Sequence, residues 1–161
     1  MSEVPKKKIS IRNQTSFLRH WFTEQSKPMN GENGVAELLR KAGYPKKAID
    51  YYMKKLNVGA IEGAEAVDSF TGLCGDSMRM YLKIENDMIK DAKFQAIGCA
   101  GAFASGSALT KMLKGKTLKE AKKITEHDII NDLKGLPGPK IHCARLAVDS
   151  LRKSIESYMK R

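Results

Sequence analysis

Met78, Met80, Leu82 and Ile84 alternate with Arg79, Tyr81 and Lys83, a period of two that predicts a strand with one buried face. Asn86-Asp87 marks a turn and Ile89 to Ile97 supplies the returning strand, so the two form an antiparallel hairpin. A third strand is expected just before Cys74. On either side the period becomes helical. Val35, Leu38, Leu39 and Ala42 fall at i, i+3, i+4 and i+7 and predict a short helix stopped by Gly43. Pro45, a good first-turn residue, opens a second helix that runs to about Leu56. Beyond Cys99 a helix is predicted over Ala102 to Leu113, and Thr117-Leu118-Lys119-Glu120 spells a capping box at the next start. Thr125 and Asp128 repeat that signal ahead of Ile129-Ile130. The last helix carries Ala144, Ala147, Val148, Leu151, Ile155 and Tyr158 on one stripe, which packs on the sheet. Strands followed by helices, without βαβ alternation, predict an α+β fold: a three-stranded antiparallel sheet with helices packed on one face.

Residues 1–43 read as a basic N-terminal arm with short helices, ahead of a domain over 44–161. Lys6-Lys7-Lys8 opens the arm, and Phe17, Leu18, Trp21 and Phe22 gather on one helical face. That face favours a helix docked on the domain over a partner-binding or organelle-targeting segment, although residues 4–23 carry basic and no acidic side chains. The chain contains no run of apolar residues long enough to span a membrane, and its start lacks the apolar stretch of a secretory signal. A cytoplasmic location is expected, or a mitochondrial or related one if the arm is a targeting segment.

Composition adds little until charge is considered. The chain has 161 residues, 42% of them apolar, with a mean hydropathy of −0.42, enough for one core without disulfides. Its formal charge is +11. Residues 1–60 hold 12 Lys+Arg against 5 Asp+Glu, and residues 61–161 hold 17 against 13, so the excess lies at the front. No stacking aromatics are interleaved with the basic residues as single-strand binders require. Nucleic acid is therefore disfavoured as a partner, and attraction to an acidic protein accounts for the charge as well.

The chemistry lies in three cysteines. An odd number without framework spacing, in a chain with no export signal, reads as thiols. Cys74 lies in Gly72-Leu73-Cys74-Gly75-Asp76 at the mouth of a strand. Cys99 lies in Gly98-Cys99-Ala100-Gly101 between a strand and a helix, and Cys143 follows His142 where the last helix opens. Glycines admit backbone N–H groups to a sulfur, and helix N-termini favour negative charge. Both promote the thiolate, which is the nucleophile and the metal ligand. No Cys-x-x-Cys pair is present, so a structural zinc site is not indicated. Twenty-four residues separate Cys74 from Cys99 and 43 separate Cys99 from Cys143, so the fold must assemble them. Asp76 and His142 are each candidates for a fourth, weaker ligand, and such a site holds a cluster less tightly than four cysteines do. Gly115-Lys116-Thr117 ends like a phosphate loop, but Thr110 stands where its first glycine is required.

Tyr44-Pro45-Lys46-Lys47-Ala48-Ile49-Asp50-Tyr51-Tyr52 with Asn57-Val58-Gly59 resembles the N-terminal signature of the U-type iron–sulfur scaffolds, the family of IscU and the NifU N-terminal domain. Cys74-Gly75-Asp76, Gly98-Cys99, Gly115-Lys116-Thr117, and Leu136-Pro137 through Lys140-Ile141-His142-Cys143 continue it in order. The resemblance implies a non-enzymatic scaffold. It takes persulfide sulfur from a cysteine desulfurase, binds iron, builds a [2Fe-2S] cluster and passes it to carriers or apo iron–sulfur proteins. It implies Cys74, Cys99 and Cys143 as ligands, with Asp76 or His142 as the fourth, and zinc as a candidate occupant of the apo site. Cys143 would be the persulfide acceptor, favoured as a mobile thiolate, with Lys140 as a neighbouring cation. Family members often carry Leu-Pro-Pro-Val-Lys before the His-Cys pair, a segment gripped by an Hsp70-type chaperone. Here the segment is Leu136-Pro137-Gly138-Pro139-Lys140, whose two prolines favour an extended conformation. The alternative is a zinc-dependent sulfurtransferase of the SufU type, a branch that carries an insertion before the third cysteine and lacks the histidine preceding it.

Overall fold

The computed structural model describes residues 31–161, so the expected features at Lys6-Lys7-Lys8 and Phe17 to Phe22 lie outside the described residues. The chain divides into two units, Met1–Val35 and Ala36–Arg161, and the sheet and all three cysteines belong to the second.

Helix α1 spans Gly31–Lys41, starting ahead of the expected Val35. Gly31 and Gly34 fall in its first turn, where backbone N–H groups have no intrahelical partner to lose. Helix α2 spans Lys46–Lys54 with Pro45 as its N-cap. Lys55 ends it in the left-handed region and returns its N–H to the carbonyls of Tyr51 and Tyr52.

Strands β1 (Ala66–Thr71), β2 (Ser77–Glu85) and β3 (Met88–Ile97) form an antiparallel sheet in the order β1-β2-β3. Glu85 opposes Met88 across Asn86-Asp87, both at positive φ, which is the two-residue turn whose twist suits a hairpin. The register then slips. Lys83 pairs with Asp91 but Ile84 with Ile89, so Lys90 is the extra residue of a bulge. Strict alternation would place Asp91 on the same face as Ile89; with the bulge, Ala92 and Phe94 join Ile89 in the core and Asp91 pairs with Lys114 outside it.

Helix α3 (Ala100–Leu113) packs on β3, and helix α6 (His142–Met159) packs on β1 and β2. Their small residues let the layers close up. A Cβ at Gly106 would lie 2.5–2.7 Å from the Phe94 ring, so α3 can approach β3 only with glycine there. Met78, Met80, Leu82, Phe94, Leu109, Leu151 and Ile155 are fully buried between sheet and helices, each contributing about 1.5–3 kcal/mol of hydrophobic stabilisation. Helices α4 (Leu118–Ala121) and α5 (Glu126–Leu133) each begin with the predicted capping box, Thr117 with Glu120 and Thr125 with Asp128. Ahead of α6 the structure differs from expectation. Pro137 is extended, but Gly138–Lys140 forms a 3-10 turn in which Lys140 N–H donates to Pro137 O at 2.7 Å. Pro139 has no N–H to lose and suits the start of a helical turn.

Candidate metal centre

The three cysteines occupy element ends, as expected. Cys74 sits in the turn from β1 to β2, closed by Gly72 N–H donating to Asp76 O at 2.9 Å and Gly75 N–H to Gly72 O at 3.0 Å. Cys99 is the N-cap of α3, and Cys143 lies in the first turn of α6. The fold brings two of them together. Cys99 Sγ and Cys143 Sγ are 3.5 Å apart, and one ligand atom each from Asp76, Cys99 and Cys143 lie within 4.8 Å of one another. Cys74 is outside this set and exposed, whereas Cys143 is buried.

Asp76 reaches the thiols because glycine precedes Cys99. A Cβ at Gly98 would lie 2.7 Å from the Asp76 carboxylate, and Cys99 N–H donates to Asp76 Oδ2 at 3.4 Å. His142 is exposed, with Nε2 3.8 Å from Cys143 Sγ. It also lines an open groove of about 710 Å³ with Cys74, Arg145, Leu146 and Asp149. The histidine thus borders both the buried thiol and the groove that Cys74 lines. Of the two candidate fourth ligands, Asp76 lies within the cluster of donors and His142 at its rim.

The electrostatics separate the two thiols. Cys99 is drawn down from 9.0 to about 5, chiefly by a hydrogen bond from Cys143, then by the N–H groups of Ala102 and Gly101 and by Lys140, against partial burial. Cys143 is pushed up by the same hydrogen bond, by burial and by negative charge on Cys99 and Asp76. The pair therefore holds one thiolate and one proton near neutrality. In this conformation Cys143 is buried and its thiol is pushed up while that of Cys99 is drawn down, a direction opposite to the expected preference for a Cys143 thiolate.

Lys140 packs against this pair, with its Cβ 3.4 Å from a Cβ built at Gly101. Leu136 and Pro137 are half-buried, while Pro139 and Ile141 are exposed. Tyr44 is the residue that sequence reasoning missed as part of the centre. It is buried, and its hydroxyl lies 3.4 Å from a Cβ built at Gly101, beside Cys143 Sγ at 3.1 Å. Burial first, then negative charge at Cys99 and Cys143, push its pKa up to about 12. No periodicity marks Tyr44; its cue was a position in the short link between the stop at Gly43 and the helix start at Pro45.

Chemically, two sulfurs and a carboxylate form a preorganised donor set for a thiophilic metal, with a third thiol and an imidazole at the rim. The model of the NifU-like N terminal domain matches residues 43–161. An iron-sulfur cluster assembly scaffold protein IscU of Archaeoglobus fulgidus is 44% identical over 119 residues, covering 73% of this chain and 78% of its own length. An iron-sulfur cluster assembly protein IscU of Plasmodium falciparum is 45% identical over 116 residues, covering 70% and 71%. Among solved structures, a candidate iron–sulfur cluster assembly scaffold for the SUF system from Fervidobacterium islandicum superposes with a TM-score of 0.59 at 28% identity. That match covers 70% of this chain and 96% of the other.

Proposed function

Because the chain belongs to the NifU-like N-terminal domain family, we propose that it is a scaffold on which an iron–sulfur cluster is assembled and from which it is released. The observation that carries this reading is the convergence of Asp76, Cys99 and Cys143 donor atoms within 4.8 Å, beside an exposed third thiol. The cluster is cargo, not a resident cofactor. Two sulfurs give affinity for iron, and a carboxylate in the set gives an exchangeable position.

The cargo is a [2Fe-2S] unit. Cys99, Cys143 and Cys74 bind it, with Asp76 as the fourth ligand and His142 standing by as the alternative. Cys74 enters from the rim when the turn from Gly72 to Asp76 closes over the cargo. Sulfur arrives as a persulfide from a cysteine desulfurase, and Cys143 accepts it once the turn Gly138–Lys140 lifts. Cys99, 3.5 Å away, then takes the Cys143 proton. The Cys143 sulfur attacks the outer sulfur of the partner's persulfide, and the partner's cysteine leaves as a thiolate, so the step transfers sulfur without net oxidation. Leu136, Pro137 and Pro139 offer a partner surface beside the site, suited to an Hsp70-type chaperone or to a carrier that receives the cluster. Three free thiols suit a reducing compartment such as the cytoplasm or an organelle matrix. Among the described residues no helix is long and apolar enough to cross a membrane.

The protein catalyses no turnover of its own. The names of its sequence relatives do not favour the zinc-dependent sulfurtransferase, and His142 immediately precedes Cys143. Anaerobic incubation with ferrous iron, cysteine and a desulfurase should develop the visible absorption of a [2Fe-2S] cluster. Tight zinc binding without any chromophore would replace the scaffold by the sulfurtransferase.

A further inference from the structure

Away from the cysteines, a second concave surface lies between α2 and α3. The groove, of about 360 Å³, is lined by Lys47, Tyr51, Lys54, Lys111 and Lys114 together with Asp50, Leu56 and Asn57. Lys47, Asp50, Tyr51 and Lys54 stand at i, i+3, i+4 and i+7 of α2 and so share one face. Lys111 and Lys114 come from the C-terminal end of α3. Tyr51 gathers the cations: Lys47 Nζ and Lys111 Nζ lie 5.5 and 5.4 Å from its ring centroid, and Lys111 donates to its hydroxyl at 3.0 Å.

Lysines at the ends of α2 and α3 complement the helix dipoles, and that accounts for Lys54 and Lys114 singly. It does not account for Lys47 in the first turn of α2, where a cation opposes the dipole. Carboxylates answer only part of the charge. Lys47 pairs with Asp132 at 2.8 Å and Lys114 with Asp91 at 2.9 Å. Among the described residues, neither Lys54 nor Lys111 has a carboxylate within salt-bridge distance. Both are exposed.

From this convergence we propose that the groove between α2 and α3 docks an acidic segment of a protein partner, with carboxylates spread over Lys54 and Lys111. A phosphate ligand fits less well. Phosphate sites draw on helix N-termini, converging backbone N–H groups or arginine forks, with lysine adding a point charge, whereas this groove is lined by one side-chain face of α2 and the C-terminal end of α3 and contains no arginine. Separated ammonium groups on flexible stems suit separated carboxylates. Lys111 stands twelve residues along α3 from Cys99, about 18 Å at 1.5 Å per residue. A partner held here leaves the thiols uncovered and can still reach them, so the groove acts as an anchor.

The test uses the full chain and a fluorescein-labelled peptide of alternating glutamate and glycine, followed by fluorescence anisotropy at low and physiological salt. Lys54→Glu with Lys111→Glu should weaken binding by about tenfold or more, with the loss greatest at low salt. Lys119→Glu with Lys160→Glu, equal in charge change but outside the groove, should weaken it by less than about twofold, as expected for long-range charge alone. Lys54→Gln with Lys111→Gln repeats the measurement with a gentler change if the reversed pair folds poorly. Equal weakening by the groove and control variants, or no binding by the parent chain, would overturn the proposal. So would inorganic pyrophosphate displacing the peptide at concentrations where free glutamate does not, which would make the groove a phosphate site. Iron and zinc binding at the cysteines should be the same in all these proteins, so failure here leaves the scaffold reading untouched.

Discussion

Replacing Cys143 by alanine tests the pairing of the two thiols. In the parent protein the Cys143 proton is lent to Cys99 across 3.5 Å, and this is the largest cause of the drop in the Cys99 pKa to about 5. A hydrogen bond to a charged group is worth about 1.5–3 kcal/mol, and one pKa unit corresponds to about 1.4 kcal/mol. Loss of the donor should therefore raise the Cys99 midpoint by about 1–2 units. The thiol should remain below its ordinary value of 9.0, because the N–H groups of Ala102 and Gly101 and the charge of Lys140 stay in place. The assay is alkylation of Cys99 by iodoacetamide over a pH series, quantified by mass spectrometry. It uses metal-free protein with Cys74→Ser in both backgrounds, and circular dichroism to check that the variant is folded. Only the thiolate reacts, so the rate climbs as pH rises through the midpoint. The parent curve should climb near pH 5 and the Cys143→Ala curve at about 6–7. Coincident curves, or a variant midpoint lower than the parent's, would refute the shared proton.

Four further outcomes are expected. Asp76→Ala should form a cluster that leaves more slowly, because a carboxylate near the iron assists exchange; transfer to an apo-ferredoxin at the parent rate would count against that role. Cys143→Ser should lose sulfur acceptance more completely than Cys74→Ser or Cys99→Ser. Mass spectrometry after incubation with the desulfurase checks this, and full loading of Cys143→Ser would move the acceptor to another thiol. Tyr44→Phe should leave the fold intact and raise the Cys99 alkylation midpoint by less than Cys143→Ala does, since the Tyr44 hydroxyl is a lesser neighbour of that sulfur. Gly106→Ala places a methyl group 2.5–2.7 Å from the Phe94 ring. Overpacking of about 1–3 kcal/mol should outweigh a helix-propensity gain of roughly 1 kcal/mol, so its urea midpoint should fall; an unchanged midpoint would show that β3 and α3 can separate freely.

Much of the architecture was legible before any coordinates, because it is encoded between near neighbours. The alternation from Met78 to Ile84, the turn at Asn86-Asp87 and both threonine capping boxes are short-range patterns, and each appears where it was read. The identity of the donors was legible too, since thiols flanked by glycine at element ends are a local feature. What the donors do together was not. Asp76 and Cys99 are 23 residues apart and Cys99 and Cys143 are 44 apart, and such distances are set by how α3 and α6 pack on the sheet. The bulge at Lys90 turns Ala92 and Phe94 to the core, which strict alternation conceals. Tertiary packing alone buried Cys143, left Cys74 at the rim and brought the Tyr44 hydroxyl to the sulfurs. Burial and the approach of charges from distant segments decide which thiol keeps its proton, and neither quantity exists until the chain has closed around the site.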